Sequence, residues 1–543
     1  MHRTLIGALF MALPFVAAAE PEATSFNADA IRAHVRFLSD DLLEGRGTGT
    51  RGYDIAATYV ASWLEGLGLE PAGAENSFFQ PFETVEESLV AGSARVSVSG
   101  GGDLEVLESP GDYLMSGSYV DEENLVTGPV TFVGFGVSAP EMGYDDLAGM
   151  DLEGHVVLLF SGAPESFSHD LRAYNSSGDL KYRTLAARGV SGVIALRTRA
   201  MASKYSWDDT VRSYGFRGMR WVGPDGRVKG VYPGLNVGLS LSRAGLDKLL
   251  TGTGIRPDDL YDQAESGVPG SRPLGREIRV ERRSTQARHT TSNVAAILPG
   301  ADPALRDEYV AITAHLDHIG VGPAMDGDTI YNGAYDNATG IAVMLEVARA
   351  LAGDGRRPAR SVMFLAVSGE EQGLLGSDYY SEYPSVPIEH IVANVNLDMP
   401  LFIYPLADVV AFGAEHSTLD RHVSEAAGRA GLELSPDPMP EEVLFIRSDQ
   451  YSFVKKGIPA IFFVPGFRSS DPSIDAGVLF TEFLQTYYHK PSDDLSLPFL
   501  GDAAEMFTAA NYYLIRSIAD APERPAWKQG DFFGKRFGRT IGD

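Results

Sequence analysis

Between Val280 and Ala519 the chain alternates short apolar runs of strand length with segments of helical spacing. The runs are NVAAIL, YVAITAH, SVMFLAV, IVANVNL, DVVAFG and PAIFFV, and helices such as 340–351 and 418–430 fall between them. This alternation predicts an α/β fold built on an open, mostly parallel, doubly wound sheet with helices on both faces. Sheets of this kind place ligands outside the carboxyl ends of their strands. Polar residues of metal-ligand type stand at those ends. YVAITAH reaches His315, and Asp317 follows. SVMFLAVSGEE ends in Glu370 and Glu371, IVANVNLDM reaches Asp398, and YNGAYDNATG carries Asp336 and opens into an apolar helix. A further histidine, His489, lies far downstream.

A lone aspartate is ordinarily a solvated surface residue or a helix cap. The set escapes that reading because Glu370 and Glu371 follow a strand apolar enough to be buried. Water cleaves an amide only when the carbonyl is polarised and the water is made nucleophilic, and one or two zinc ions do both. Two neighbouring dications need a shared carboxylate, and Asp336 is the natural bridge. His315, Asp398, Glu371 and His489 supply the other donors and leave room for water. Glu370 adjoins a ligand without being needed as one, so it can take a proton from water and give it to the leaving amine. Asp317 is placed to accept the second imidazole N–H of His315, and Asp493 in YYHKPSDD stands in a similar relation to His489. His318 competes with His315 as a ligand. Co2+ or Mn2+ would also suit an oxygen-rich set. The stretch DGDTIYNGAYDN lacks the oxygen spacing and closing glutamate of an EF-hand.

The chain has 543 residues, enough for two or three domains. Its net charge of −28 argues against phosphate-mediated binding of nucleic acid. With no cysteine, disulfides, thiolate zinc sites and cysteine nucleophiles are excluded. His2 and Arg3 precede an apolar run from Leu5 to Ala18, and Ala17-Ala18-Ala19 offers small residues before Glu20. That is the pattern of a cleaved secretory signal, too short for a stable membrane span. It predicts an exported protein, periplasmic or extracellular. The sequon Asn337-Ala338-Thr339 adjoins the proposed metal site, where a glycan would block it, and this favours a bacterial chain.

The expected organisation is a signal over 1–19, a first part of the catalytic domain over 20–126, a β-rich insert over 127–278, the main catalytic part over 279–520 and a tail over 521–543. Residues 26–70 read as two helices around the loop EGRGTGTRGY, which lacks the Gly-Lys-Ser/Thr ending of a phosphate cradle and reads as a tight turn. Residues 71–125 suggest hairpins. GPVTFVGFGVSAP, HVVLLFSG, GVSGVIALR and LNVGLSLS read as insert strands, with one helix over 182–188. His34, His155 and His169 stand without partners in the sequence and are assigned structural roles. The aromatic tail (Trp527, Phe532, Phe533, Phe537) reads as a packing arm.

At AHLDHIG, YNGAYDNATGIAVMLEVARAL, SGEEQGLLGS, NLDM, RSDQYSF, GIPAIFF and YYHKPSDD the chain resembles the co-catalytic di-zinc aminopeptidases. FLSDDLLEGRGTGTRGY and SFFQPFE are similar to that family as well. The resemblance implies one zinc held by Asp336, Glu371 and His489 and a second held by Asp336, His315 and Asp398. It implies Glu370 as general base, an insert similar to a protease-associated domain, and removal of N-terminal residues from peptides or proteins. Acidic groups near the metals would hold the free α-amine. Glutaminyl-cyclase-like transferases work with one zinc, and receptor-like members have lost ligands. All five ligands and the base are present here, which disfavours both. A carboxypeptidase or dipeptidase would need an arginine clamp. Arg447 is the candidate, although a salt bridge to Asp449 or a neighbouring acid accounts for it more simply. Tyr488 and Tyr335 adjoin ligands and are candidates to stabilise an oxyanion.

Overall fold

The computed structural model describes residues 25–102 and 104–538. The predicted signal over 1–19 lies outside the described residues. Strand Tyr309–His315 pairs in parallel with Ser361–Val367 on one side and Ile391–Asn396 on the other. Ala460–Pro465 continues the parallel set. Two antiparallel neighbours flank this set, Ser271–Leu298 against Ser361–Val367 and Asp408–Phe412 against Ala460–Pro465. The α/β class expected from the sequence is present, but the sheet is mixed: its parallel strands form the centre, and antiparallel strands flank them.

Alternate residues of each strand enter opposite cores, as the pleat requires. Val310, Ile312, Ala314, Val362, Phe364 and Ala366 share one core with helices Ala28–Leu38, Thr339–Gly353, Leu419–Arg429 and Gly501–Asp520. Ala311, Met363, Leu365 and Val367 face a second core with Tyr380, Tyr451, Phe453 and the tail residue Phe533. Helix Thr339–Gly353 is apolar around most of its circumference and correspondingly almost wholly buried. Fixing it there fixes the segment Ala334–Ala338 at its N-terminus, where Asp336 lies.

A second sheet holds Val156–Phe160, Gly192–Leu196 and Val237–Leu241 in parallel beside Glu123–Val133. The long strand Ser271–Leu298 joins the two sheets. Its first half pairs with Glu123–Val133, its second with Phe79–Leu89 and Ser361–Val367. The insert is richer in helix than one helix over 182–188 suggests. Helices His169–Ser176, Gly178–Ala186, Arg199–Lys204, Trp207–Ser213, Arg243–Leu250 and Pro257–Glu265 all occur. They are short and polar, so periodicity is weak, but Ser177, Thr198, Ser206 and Ser242 cap four of them through side-chain oxygens. No helix among the described residues is long and apolar enough to cross a membrane.

Candidate metal centre

Because strands Tyr309–His315, Ser361–Val367 and Ile391–Asn396 run in parallel, their carboxyl ends open on one edge of the sheet. His315 closes the first, Glu370 and Glu371 follow the second, and Asp398 follows the third. Asp336 lies between them with its two oxygens turned to different partners. Oδ1 is 3.2 Å from His315 Nε2, and Oδ2 is 3.3 Å from His489 Nε2. His315 Nε2 is also 2.9 Å from Asp398 Oδ1, and His489 Nε2 is 2.9 Å from Glu371 Oε2. The five sequence-derived candidates therefore form two clusters that share one carboxylate.

The charges are arranged for cations. Burial opposes ionisation of Asp336, but His318, His315 and His489 outweigh it and hold the carboxyl well below its usual range. Burial and the neighbouring Asp336 push Glu371 upward, yet His489 and His318 bring it to about 2. Burial lowers the His489 pKa, while Glu371 and Asp336 raise it to about 10. Glu370 behaves in the opposite sense. Burial, with Asp398 and Glu371 adding to it and His315 opposing, holds its carboxyl well above the usual range. Two adjacent glutamates thus differ in charge preference, one suited to staying ionised and the other to carrying a proton.

Whether these residues fit a metal can be judged from His489. Its Nε2 is buried, and although two carboxylate oxygens lie within 3.3 Å, neither contact has hydrogen-bond geometry. Nitrogen and oxygen donors that converge in space without bonding one another fit a shared cation. Imidazole and carboxylate donors suit zinc.

The groups that orient the set are only partly those expected. His315 Nδ1 lies 3.1 Å from the main-chain carbonyl of Asp317, so the tautomer is fixed by the backbone, not by the Asp317 carboxylate. That carboxylate instead accepts from the amides of Glu370 (3.1 Å) and Glu371 (3.4 Å) and from the Thr48 hydroxyl (3.0 Å). Asp493 does not touch His489. It accepts from the amides of Tyr335 and Asp336. His318 is fully buried with Nδ1 2.7 Å from Glu371 Oε1, so it fixes one oxygen of Glu371 while the other faces His489. Arg447 lies 3.5 Å from Glu442, not on Asp449. Tyr335 donates its hydroxyl to the Pro498 carbonyl, which takes it out of the cleft. Tyr488 stacks on His489 at 3.8 Å between ring centroids. Burial, then Asp336 and Glu371, hold its phenol well above the usual value, so it stays protonated.

Several supporting residues were not singled out from the sequence. Ser448 donates to Asp398 Oδ2 at 2.7 Å and receives from Asn396 Nδ2 at 2.8 Å. Asn337 Oδ1 accepts from Gly340 and Met399, and its Nδ2 donates to Leu397, tying the Asp336 segment to the Asp398 strand end. Asn337 is only 1% exposed, so the sequon cannot carry a glycan on the folded chain. Arg46, in the glycine-rich loop, donates to the carbonyls of Leu316 (2.9 Å), Asn332 (2.6 Å), Gly333 (2.9 Å) and Leu38. The loop must be glycine-rich to approach so closely. Gly45 has φ of 65°, and a Cβ there would lie 2.3 Å from the Tyr331 carbonyl oxygen. Apart from the RSDQYSF stretch around Ser448 and the Asn following Asp336, only the loop's glycine spacing could have signalled these contacts.

Residues 293–513 match the model of peptidase family M28. Among curated proteins the chain is similar to mouse Aminopeptidase NAALADL1, at 34% identity over 139 residues, covering 24% of this chain and 17% of the relative. It is also similar to Aminopeptidase YwaD of Bacillus subtilis, at 29% identity over 222 residues, covering 38% of this chain and 42% of the relative. The matched region thus spans less than half the length of either. Among solved structures, an aminopeptidase from Aneurinibacillus sp. strain AM-1 superposes with a TM-score of 0.52, covering 90% of this chain and 94% of that one. At 19% identity that likeness establishes the fold.

Proposed function

We propose that this chain, whose residues 293–513 match the model of peptidase family M28, is an exported metallo-aminopeptidase that holds two zinc ions and removes N-terminal residues from peptides. Zinc itself follows from the family. The observation that carries the two-ion reading is the split engagement of Asp336, one oxygen toward His315 and Asp398, the other toward His489 and Glu371. One ion would be held by Asp336, Glu371 and His489, and the other by Asp336, His315 and Asp398.

When bound, the ions supply an activated water and polarise the scissile carbonyl. The chain supplies the rest. Glu370 accepts a proton from the attacking water at its carboxylate and passes it to the departing amine nitrogen. Its raised pKa, caused chiefly by burial and by Asp398 and Glu371, suits a group that must hold that proton in mid-reaction. The protonated Tyr488 hydroxyl donates to the developing oxyanion. Acidic groups near the metals attract the positive α-amine. The same excess of carboxylates, with Arg447 turned to Glu442, disfavours a substrate that brings a C-terminal carboxylate instead. The insert contacts the catalytic part near the centre, with Phe216 edge-on to Tyr331 at 5.5 Å and Lys204 on Glu442.

The test is hydrolysis by the purified chain of aminoacyl-4-nitroanilides, their N-acetylated forms and a free-carboxylate dipeptide blocked at its amine, with and without chelator. Chelator-sensitive cleavage of free-amine substrates alone is expected. Cleavage of the blocked, free-carboxylate substrate would make the enzyme a carboxypeptidase. Two zinc equivalents lost together on substituting Asp336, measured by elemental analysis, support the shared-ligand reading.

A further inference from the structure

A second group of metal-ligand side chains lies where three parts of the chain meet and shares no residue with the first. His416 ends the turn Ala414–His416 after strand Asp408–Phe412. Asp170 is in the first turn of the insert helix His169–Ser176. Asp531 caps the tail helix Phe532–Phe537, its Oδ1 accepting from the Gly534 amide at 2.8 Å. The other oxygen of Asp531 lies 2.7 Å from His416 Nδ1. In the neutral ring that hydrogen bond holds the proton on Nδ1 and leaves a lone pair on Nε2, the arrangement that carboxylates impose on metal-bound histidines.

His416 is 4% exposed, and its Nε2 is buried without a hydrogen-bond partner. It points among carboxylates, 3.6 Å from Asp170 Oδ1 and 3.7 Å from Glu415 Oε1. Those separations are too long for hydrogen bonds. They match the edge of a tetrahedron of donors with metal–ligand bonds of about 2.1–2.2 Å. His169 Nδ1 is 3.6 Å from the same Asp170 oxygen. Its Nε2 is likewise buried without a hydrogen bond, 4.0 Å from Asp437 Oδ2. Four carboxylates therefore surround two imidazoles. Among the described residues no lysine or arginine forms an ion pair with Asp170, Glu415, Asp437 or Asp531.

From this geometry we propose a structural site for a divalent transition metal, with His416 Nε2 and the Asp170 carboxylate as its fixed donors. His169 and Glu415, which are 28% and 62% exposed, complete the shell by side-chain rotation. Imidazole donors select zinc-like ions over calcium or magnesium. The ion would staple the insert to the catalytic sheet and, through Asp531, to the tail. It takes no part in peptide cleavage.

The full-length chain is stripped with chelator, reloaded with Zn2+, desalted and analysed for zinc per chain. Asp170→Asn and His416→Gln are each expected to hold one zinc fewer than the parent. Asp170→Asn should keep the parent's hydrolysis of free-amine substrates in excess zinc. A catalytic-site variant, His489→Ala, should lose zinc independently, so that Asp170→Asn combined with His489→Ala shows both losses added. Equal zinc content in the parent and Asp170→Asn overturns the proposal, whatever the activity does, and leaves His416 as an imidazolium clamped between Asp531 and Asp170. Should the catalytic centre hold one ion instead of two, the parent's total falls but the difference between parent and Asp170→Asn remains. Should His416→Gln fail to fold, Asp170→Asn, on a partly exposed side chain, decides alone.

Discussion

Asp493 holds Asp336 by its main chain. One Asp493 oxygen accepts the Tyr335 amide at 2.9 Å and the other accepts the Asp336 amide at 3.0 Å. The residue that offers two oxygens to two clusters is thus fixed at its backbone by a carboxylate 157 positions away in the sequence. In Asp493→Asn one of those oxygens becomes an NH2 group facing an N–H, and one hydrogen bond is replaced by a repulsive contact. Zinc affinity should fall by about 10–100-fold, the usual effect of losing an outer orienting group. Titration with a competing chelator measures it. Excess zinc should restore most of the activity, because no catalytic group has been removed.

Glu370 and Glu371 are neighbours with opposite preferences, and a substitution separates their roles. Glu370→Gln removes the proton acceptor while keeping the side-chain volume and the main-chain bond to Asp317. The turnover number should drop by about 100- to 10,000-fold, the range expected for loss of a general base, with zinc content unchanged. A variant that loses zinc instead would show that Glu370 is a ligand.

How much of this could be read from sequence divides along a physical line. His315, Glu371 and Asp398 were legible because each follows a buried strand, where an unpaired polar residue needs a reason. Asp336 and His489 were legible from their motifs. The outer layer was not. Asp493 was named for His489 and instead holds the Tyr335 and Asp336 amides; Asn337, Thr48 and Arg46 act on main-chain groups, or across nearly three hundred residues of sequence, and a hydrogen bond to a backbone amide imposes no local pattern. Asp317 was placed beside His315 correctly, but sequence spacing could not tell its carbonyl from its carboxylate. Of the insert helices only Gly178–Ala186 was expected, over 182–188; the others were missed because helices of six to nine residues show too little period to stand out from β-branched strands.

Arg46 tests whether the N-terminal loop is part of the centre. Its guanidinium is 1% exposed and serves four carbonyls, two of them in the Asn332–Gly333 turn just before Asp336. Burial lowers its pKa to about 10, with Asp493, Asp317 and Asp336 resisting, so it remains charged at neutral pH. Arg46→Met fills the volume but leaves those carbonyls without donors, each at a cost of about 1–3 kcal/mol. Denaturant titration should show a loss of at least about 3 kcal/mol, with zinc affinity reduced in the fraction that folds. A stability within about 0.5 kcal/mol of the parent would mean that water replaces the guanidinium and that the loop is not a support.

Lys181 gives a pH dependence with a definite sign, in the insert and apart from either metal cluster. It is 5% exposed, its ammonium donates to the Gly162 carbonyl, and burial depresses its pKa from 10.5 to about 7, with Asp146 only partly opposing. Above pH 10.5 the amine is neutral folded or unfolded, and it contributes nothing. As pH falls from there to about 7 the unfolded chain takes up a proton that the folded chain does not, so the folded state loses stability through that window and the loss is complete below it. Stability should therefore rise as pH rises from about 7. Asp146, held up at about 6 chiefly by burial, contributes its opposite slope below that window. Lys181→Met keeps the chain length and removes the proton. Urea midpoints at pH 7 and 9.5 should differ less in this variant than in the parent, with the variant the more stable at pH 7. An unchanged difference between the two pH values would show that Lys181 stays protonated in the folded insert, paired with Asp146.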